Sequence, residues 1–190
     1  MNRKQRFVST AASGKIYMSI PLGPLDLQSF MATHLIPGEI LHLSVPTPTV
    51  ETAAQAVGVR AEQIVKSILF LVNDASAAQA FMPVLAIACG TAHVERRAIA
   101  ARYGVGRKRV KLASPEEVLA ISGYEVGAMP PFGHRQPLPT LLDCRVLDLP
   151  EAYAGGGAEN ALVRLDPHEI ARVTAAEVMD LISMPDQEKE

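Results

Sequence analysis

Two segments of this chain are almost continuously apolar, 64–72 (Ile-Val-Lys-Ser-Ile-Leu-Phe-Leu-Val) and 83–88 (Pro-Val-Leu-Ala-Ile-Ala). Runs of that length, without alternation, predict strands covered on both faces. Residues 40–45 alternate apolar and polar, and Pro46 and Pro48 end them, which predicts a half-buried strand. Shorter apolar stretches at 109–112, 140–143 and 161–165 also read as strands. Helical spacing appears at 25–34, where Leu27, Phe30 and Met31 share one face. Thr49 caps a helix that runs to Val57 and stops at Gly58. A helix is expected from Thr91 to Tyr103, closed by Gly104. Ser114-Pro115-Glu116-Glu117 is a capping-box start for a helix ending at Gly123. Asp166-Pro167 opens a short helix, and Thr174-Ala175-Ala176-Glu177 reads as the cap of a last one. Residues 73–82 read as an exposed return between strands. Residues 124–139 hold Gly127, Gly133 and four prolines, so they form an ordered loop rather than an element. Strands and helices interleave, yet several strands follow one another directly. This favours an α+β fold, a mixed sheet with helices packed around it. The expected layout is an arm over 1–38 with a short helix, one domain over 39–184 and a polar tail over 185–190.

Lys66 interrupts the first apolar run. Burying an ammonium is costly unless it meets a partner or a cavity. A lysine so placed is a candidate site residue, or else a strand-end lysine whose stem snorkels to water.

Composition narrows the possibilities. The chain has 190 residues, 48% hydrophobic and 20% charged, with a net charge of −2. These values fit one soluble domain and give no global field toward nucleic acid. No signal-peptide core occurs in residues 1–20 and no apolar stretch is long enough to span a membrane, so a cytoplasmic protein is expected. Cys89 and Cys144 show no ligand spacing and read as small core residues with free thiols. The chain lacks a metal-binding His cluster, a P-loop and a Rossmann glycine fingerprint, so no cofactor is expected. Ser67 and Ser114 lack a nucleophile elbow.

Two further features carry candidate chemistry. The segment Tyr124-Glu125-Val126-Gly127-Ala128-Met129-Pro130-Pro131-Phe132-Gly133-His134 fixes a backbone path that something could approach closely. Such a loop either presents backbone donors to a ligand or simply connects two elements. Arg96, Arg97, Arg102, Arg107, Lys108, Arg109 and Lys111 place seven cations within 16 residues, 7 of the 18 Lys and Arg of the chain. They form either a phosphate-contacting patch or a solvated face.

Together these pieces resemble the YbaK family, the editing domain found inserted in, or standing beside, prolyl-tRNA synthetases. The resemblance covers about 40–181. It rests on 49–58, on Glu62-Gln63-Ile64-Val65-Lys66-Ser67-Ile68 and on Gly123-Tyr124-Glu125-Val126-Gly127. A G-x-x-x-P motif over 127–131, Leu138-Pro139-Thr140-Leu141-Leu142-Asp143 and the glycine run 155–157 complete it.

The resemblance implies a mixed, barrel-like sheet surrounded by helices. It also implies hydrolysis of the ester of mischarged aminoacyl-tRNA by a stand-alone protein acting in trans, with mischarged tRNA and an aminoacyl-tRNA synthetase as partners. The family's functional lysine falls on Lys66. Its substrate-cradling loop falls on Gly127, Ala128, Met129, Pro130 and Pro131, with Gly155 and Gly156 beside it. His134 and Asp143 are expected to support the site, and Arg107, Lys108 and Arg109 to contact tRNA. In the cysteinyl-tRNA deacylase branch the glycine run begins with serine, and an aspartate follows in the next strand. Gly155 and Leu162 stand at those positions here, which counts against cysteine as the edited residue. It also keeps open a non-catalytic module that holds tRNA or an aminoacyl compound. A hydrolase of another small ester is a third reading.

Overall fold

The protein is described from a computed structural model, which covers residues 20–73, 81–90 and 92–182. Half of the expected arm, most of the 73–82 return, Thr91 and the tail lie outside these residues. Among them are eight strands. They are β1 (Gly38–His42), β2 (Ile64–Val72), β3 (Met82–Cys89), β4 (Val110–Leu112), β5 (Thr140–Asp143), β6 (Ala152–Gly155), β7 (Ala161–Leu165) and β8 (Glu177–Met179). Five α-helices accompany them: α1 (Pro24–Thr33), α2 (Val50–Val57), α3 (Arg96–Arg102), α4 (Pro115–Ser122) and α5 (Pro167–Thr174). The fold is mixed α+β.

The strands form one mixed sheet in the order β1-β7-β6-β2-β3-β5-β8, with β4 added against β2. The two apolar runs lie at its centre as β2 and β3, antiparallel over eight residue pairs from Val65–Cys89 to Val72–Met82. On its other side β2 meets two strands. β6 runs parallel to Ile64 and Val65, and β4 runs antiparallel to Phe70, Leu71 and Val72. Between them that side of β2 carries no strand.

Side-chain alternation along β2 explains the layering. Val65, Leu69 and Leu71 face the main core, with Leu27 and Met31 of α1, Val118 of α4, Ile170 of α5 and the loop residues Tyr124, Met129 and Phe132. The other face is covered in two patches. Ile64 packs with Ala53 and Ala54 of α2, Tyr153 and Leu162. Phe70 and Val72 pack with Ile99 and Ala100 of α3. Lys66 falls on this second face, between the two patches.

Local chemistry accounts for most boundaries. The Thr49 hydroxyl accepts from Thr52 N and Gly58 ends α2 in the left-handed region at φ 71°. Ser114 and Glu117 form the expected capping box of α4. Asp166 caps α5.

Four expectations fail. α3 begins at Arg96, because Val94 bridges Ile182 and Glu95 N donates to Leu181 O, which holds the preceding residues extended. Residues 177–179 form β8, since pairing with β5 outweighs the helix-start pattern of Thr174 to Glu177. β6 and the 3₁₀ turn Cys144–Asp148 were not expected. Cys144 is exposed, whereas Cys89 is buried.

Candidate active site

The gap beside β2 is where four of the sequence-predicted residues converge, Lys66, Gly127, Met129 and Gly155, while Ala128, Pro130, Pro131 and Gly156 lie outside the lining. A cavity of about 220 Å³ opens there, lined by Ile64 to Ile68 of β2, by Thr47 to Val50 and Ala53 at the start of α2, and by Gly127, Met129, Gly155 and Leu162. Thr47 is fixed by its N–H and hydroxyl, which both donate to Glu159 O, at 2.9 and 3.2 Å. The Thr49 cap then directs the first turn of α2 at the cavity.

Lys66 is half-buried, and its Nζ donates to Ala92 O at 2.6 Å. Burial lowers its pKa, while Glu51 and then Cys89 oppose the shift. No carboxylate among the described residues lies within ion-pair distance of it. Two of its three N–H donors therefore have no protein acceptor among those residues.

The loop is built around Tyr124, which is fully buried and donates from its hydroxyl to Gly133 O at 3.2 Å. Burial pushes that hydroxyl's pKa well up, so it remains a donor. The His134 Nε2 lies 2.9 Å from Pro130 O. A carbonyl only accepts, so this nitrogen carries the proton. Burial lowers the His134 pKa to about 4, which keeps the ring neutral at pH 7. His134 thus ties the loop end to its middle, supporting the cavity wall from outside its lining.

The glycine run docks the loop. A Cβ on Gly155 would lie 2.5 Å from Met129 O and 2.7 Å from Ala128 O. Gly157 N donates to Ala128 O at 2.9 Å. A Cβ on Gly156 would strike the Ala161–Leu162 backbone at 2.7 Å. Gly155 therefore lets the loop backbone lie directly on β6. Gly155 and Leu162 are cross-strand partners, so their shared wall offers no polar side chain.

The structure separates the remaining candidates from the cavity. Asp143 is fully buried beneath β8. Its carboxylate accepts from Leu181 N at 2.9 Å, Arg145 N at 3.1 Å and Arg145 Nη1 at 3.0 Å. Arg145 also meets Asp180 at 2.8 Å, so this cluster ties the chain around residue 180 to β5. Cys89 lies beside it with its thiol pushed up to about 11 by burial and then by Asp143, as suits a protonated core residue. Arg107, Lys108 and Arg109 form an exposed 3₁₀ turn leading into β4. β4 joins β2 at Phe70 to Val72, four to six residues along from Lys66, or roughly 13–20 Å at strand rise. Of the other cations, Arg102 pairs with Glu177 at 2.6 Å, and Lys111 lies 5.6 Å from the centre of the Phe81 ring.

Sequence reasoning passed over Ser67. Its hydroxyl is buried, and no hydrogen-bond partner reaches it among the described residues. A hydroxyl directly after the lysine in an apolar strand was the available signal, and the absence of a nucleophile elbow hid it.

Residues 44–173 match the aminoacyl-tRNA editing domain family. The uncharacterized protein YwhH of Bacillus subtilis (strain 168) is 25% identical over 140 residues, which span 74% of this chain and 83% of that protein. The proline–tRNA ligase of Shouchella clausii (strain KSM-K16) is 30% identical over 129 residues, 67% of this chain but 21% of the ligase. Among solved structures, one described as "a putative trans-editing enzyme for prolyl tRNA synthetase" superposes with TM-score 0.73 at 33% identity, over 85% of this chain and 97% of that one. The hypothetical protein APE2540 superposes with TM-score 0.74 at 28% identity, over 83% and 99%. The match spans well over half of the sequence and takes in β2, the loop and the glycine run: this chain belongs to the aminoacyl-tRNA editing domain family.

Proposed function

We propose that the protein is a trans-acting deacylase that hydrolyses the ester of mischarged aminoacyl-tRNA in the cytoplasm, serving an aminoacyl-tRNA synthetase. The observation that carries this reading is the cavity that Lys66 shares with Gly127, Met129 and Gly155, three distant stretches of chain meeting at the gap in the sheet. An aminoacyl ester is already activated, so positioning and oriented donors can supply much of the rate. The Lys66 ammonium, with donors to spare, holds the terminal adenosine phosphate or orients the ester. The loop backbone grips the aminoacyl end. Attack by water, or by the substrate's own 2′-hydroxyl or thiol followed by water, cleaves the acyl–oxygen bond. It yields free amino acid and tRNA with its hydroxyl restored. Arg107, Lys108 and Arg109 contact the tRNA backbone. The wall of Val50, Ala53, Ile64 and Leu162 suits a small aliphatic side chain better than one needing a hydrogen bond.

Deacylation of tRNA charged with Ala, Ser, Thr or Cys tests the reading. Wild type is expected to release at least one of these amino acids faster than buffer, and Lys66→Ala to lose about 100-fold or more in kcat/KM. No release by wild type, or equal release by the variant, refutes it. The apolar Gly155–Leu162 wall favours a second reading, a binding module without turnover. That reading predicts salt-sensitive tRNA affinity and hydrolysis no faster than the spontaneous rate.

A further inference from the structure

The register of β2 singles out the residue beside the lysine. In an antiparallel pair, a residue turns both its N–H and its C=O either toward the partner strand or away from it. Gly90 N donates to Ile64 O, so the even-numbered residues of β2 bond to β3. The odd-numbered residues turn the other way. Asn73 N donates to Arg109 O, and Ala113 N to Leu69 O, both on the β4 side. Pro83 agrees with this, since it lies opposite Leu71, a pair that exchanges no hydrogen bonds. On the odd side Val65 belongs to β6, and Leu69 and Leu71 to β4. Ser67 lies between them. Its N–H and C=O point into the gap, where no strand pairs with them. No loop group among the described residues bonds to them either. Its hydroxyl is buried and likewise has no partner among those residues. Among the described residues no group pairs with the N–H, the C=O or the hydroxyl of this strand-centre residue, which leaves all three open to an occupant of the cavity.

An aminoacyl ester has the shape of that occupant. It presents an amino group and a carbonyl separated by one α-carbon, the same donor–acceptor pair as a strand residue. Resting on the deacylase reading above, we propose that the main chain of Ser67 binds the aminoacyl group as the missing residue of the ladder. The substrate α-ammonium donates to Ser67 C=O, and the ester carbonyl accepts from Ser67 N–H. That N–H then serves the carbonyl oxygen as negative charge develops on it. Both contacts ignore the amino acid's identity. Side-chain selection is left to the walls on the α2 face, where Ile64 and Leu162 stand. Ser67 is therefore a substrate-binding residue acting through its backbone, and Lys66 next to it turns its side chain to the cavity face.

The test is a binding experiment on the full chain, independent of turnover. Wild type labelled with ¹⁵N is titrated with 3′-alanylamido-3′-deoxyadenosine, a non-hydrolysable stand-in for the charged terminus. A second titration uses the 3′-propionylamido analogue, which lacks the amine. The Ser67 amide proton is expected to show one of the largest downfield shifts, and the amine-free analogue to bind about tenfold more weakly. Replacing Ser67 by its α-hydroxy-acid counterpart exchanges the N–H for an ester oxygen and keeps the side chain, at the cost of a weaker Lys66 carbonyl acceptor in the β2–β3 ladder. It should weaken the alanyl analogue and lower kcat/KM in parallel. The proposal is overturned if binding shifts Val50 or Met129 but leaves the Ser67 amide unmoved, if both analogues bind equally, or if neither binds. In any of these cases the tRNA panel still judges the deacylase reading separately: release of amino acid there would leave hydrolysis standing with a different grip on the substrate.

Discussion

Lys66 shows how a single residue can be costly to the fold and useful to the site. Burial opposes its charge, and one carbonyl, Ala92 O, is its protein partner among the described residues. An anion entering the cavity would relieve that cost. Lys66 was legible in the sequence because a charge inside an apolar strand is conspicuous. Gly155 was only partly legible for the opposite reason, since glycine shows only what it lacks. Likeness to the cysteinyl branch casts it as a missing serine ligand. The structure shows a close backbone approach, with Met129 O only 2.5 Å from where a Cβ would lie. Gly155→Ala should therefore push the loop off β6, at a cost of about 1–3 kcal/mol. Chemical denaturation would register the destabilisation, together with a fall in deacylation. Unchanged stability would mean that the loop yields freely. Asp143 illustrates the same limit. Its sequence neighbours resemble a family motif, but its role is set by Leu181 and Arg145, which only tertiary structure brings to it.

The elements were legible where chemistry is local. Caps at Thr49, Ser114 and Asp166 placed three helix starts, and two apolar runs placed β2 and β3. The failures belong to elements whose partners are distant. β6 is Ala-Tyr-Ala-Gly, a sequence with little strand character, and exists because β2 and β7 flank it. β8 exists because β5 offers an edge. The loop between α4 and β5 was foreseen as ordered, and the structure adds the fastener, His134 on Pro130. This gives a pH expectation. The folded pKa of about 4 lies below the ordinary value of 6.5, so the unfolded chain takes up the proton first as pH falls. The contribution of His134 is fully present above about pH 6.5 and is lost progressively toward pH 4, at up to about 1.4 kcal/mol per pH unit. Unfolding free energies measured from pH 7 to 4 should show that slope, and His134→Gln should flatten it. An equal slope in the variant would assign the effect to other groups.

On the scale of the whole molecule, a net charge of −2 means that the proposed tRNA binding would rest on a local patch. The exposed turn of Arg107, Lys108 and Arg109 lies beyond the far end of β2 from the cavity, so it would meet the tRNA away from the ester. Reversing Arg107 and Arg109 to Glu should weaken tRNA binding and lower the slope of log K against log salt by about one for each phosphate that is no longer neutralised. Hydrolysis of a free aminoacyl-adenosine ester should be unaffected. Unchanged tRNA affinity would make the turn an ordinary solvated surface.

The gap beside β2 has one more consequence. Unpaired strand edges usually invite a neighbouring chain to add a strand, and with it aggregation. Here the open edge lies inside the sheet, stopped by β6 at one end and β4 at the other, and a single residue faces it. A foreign strand needs several consecutive pairings to hold, and this edge has no room for them. At this gap the molecule can keep backbone donors and acceptors open to a ligand while giving a foreign strand no template.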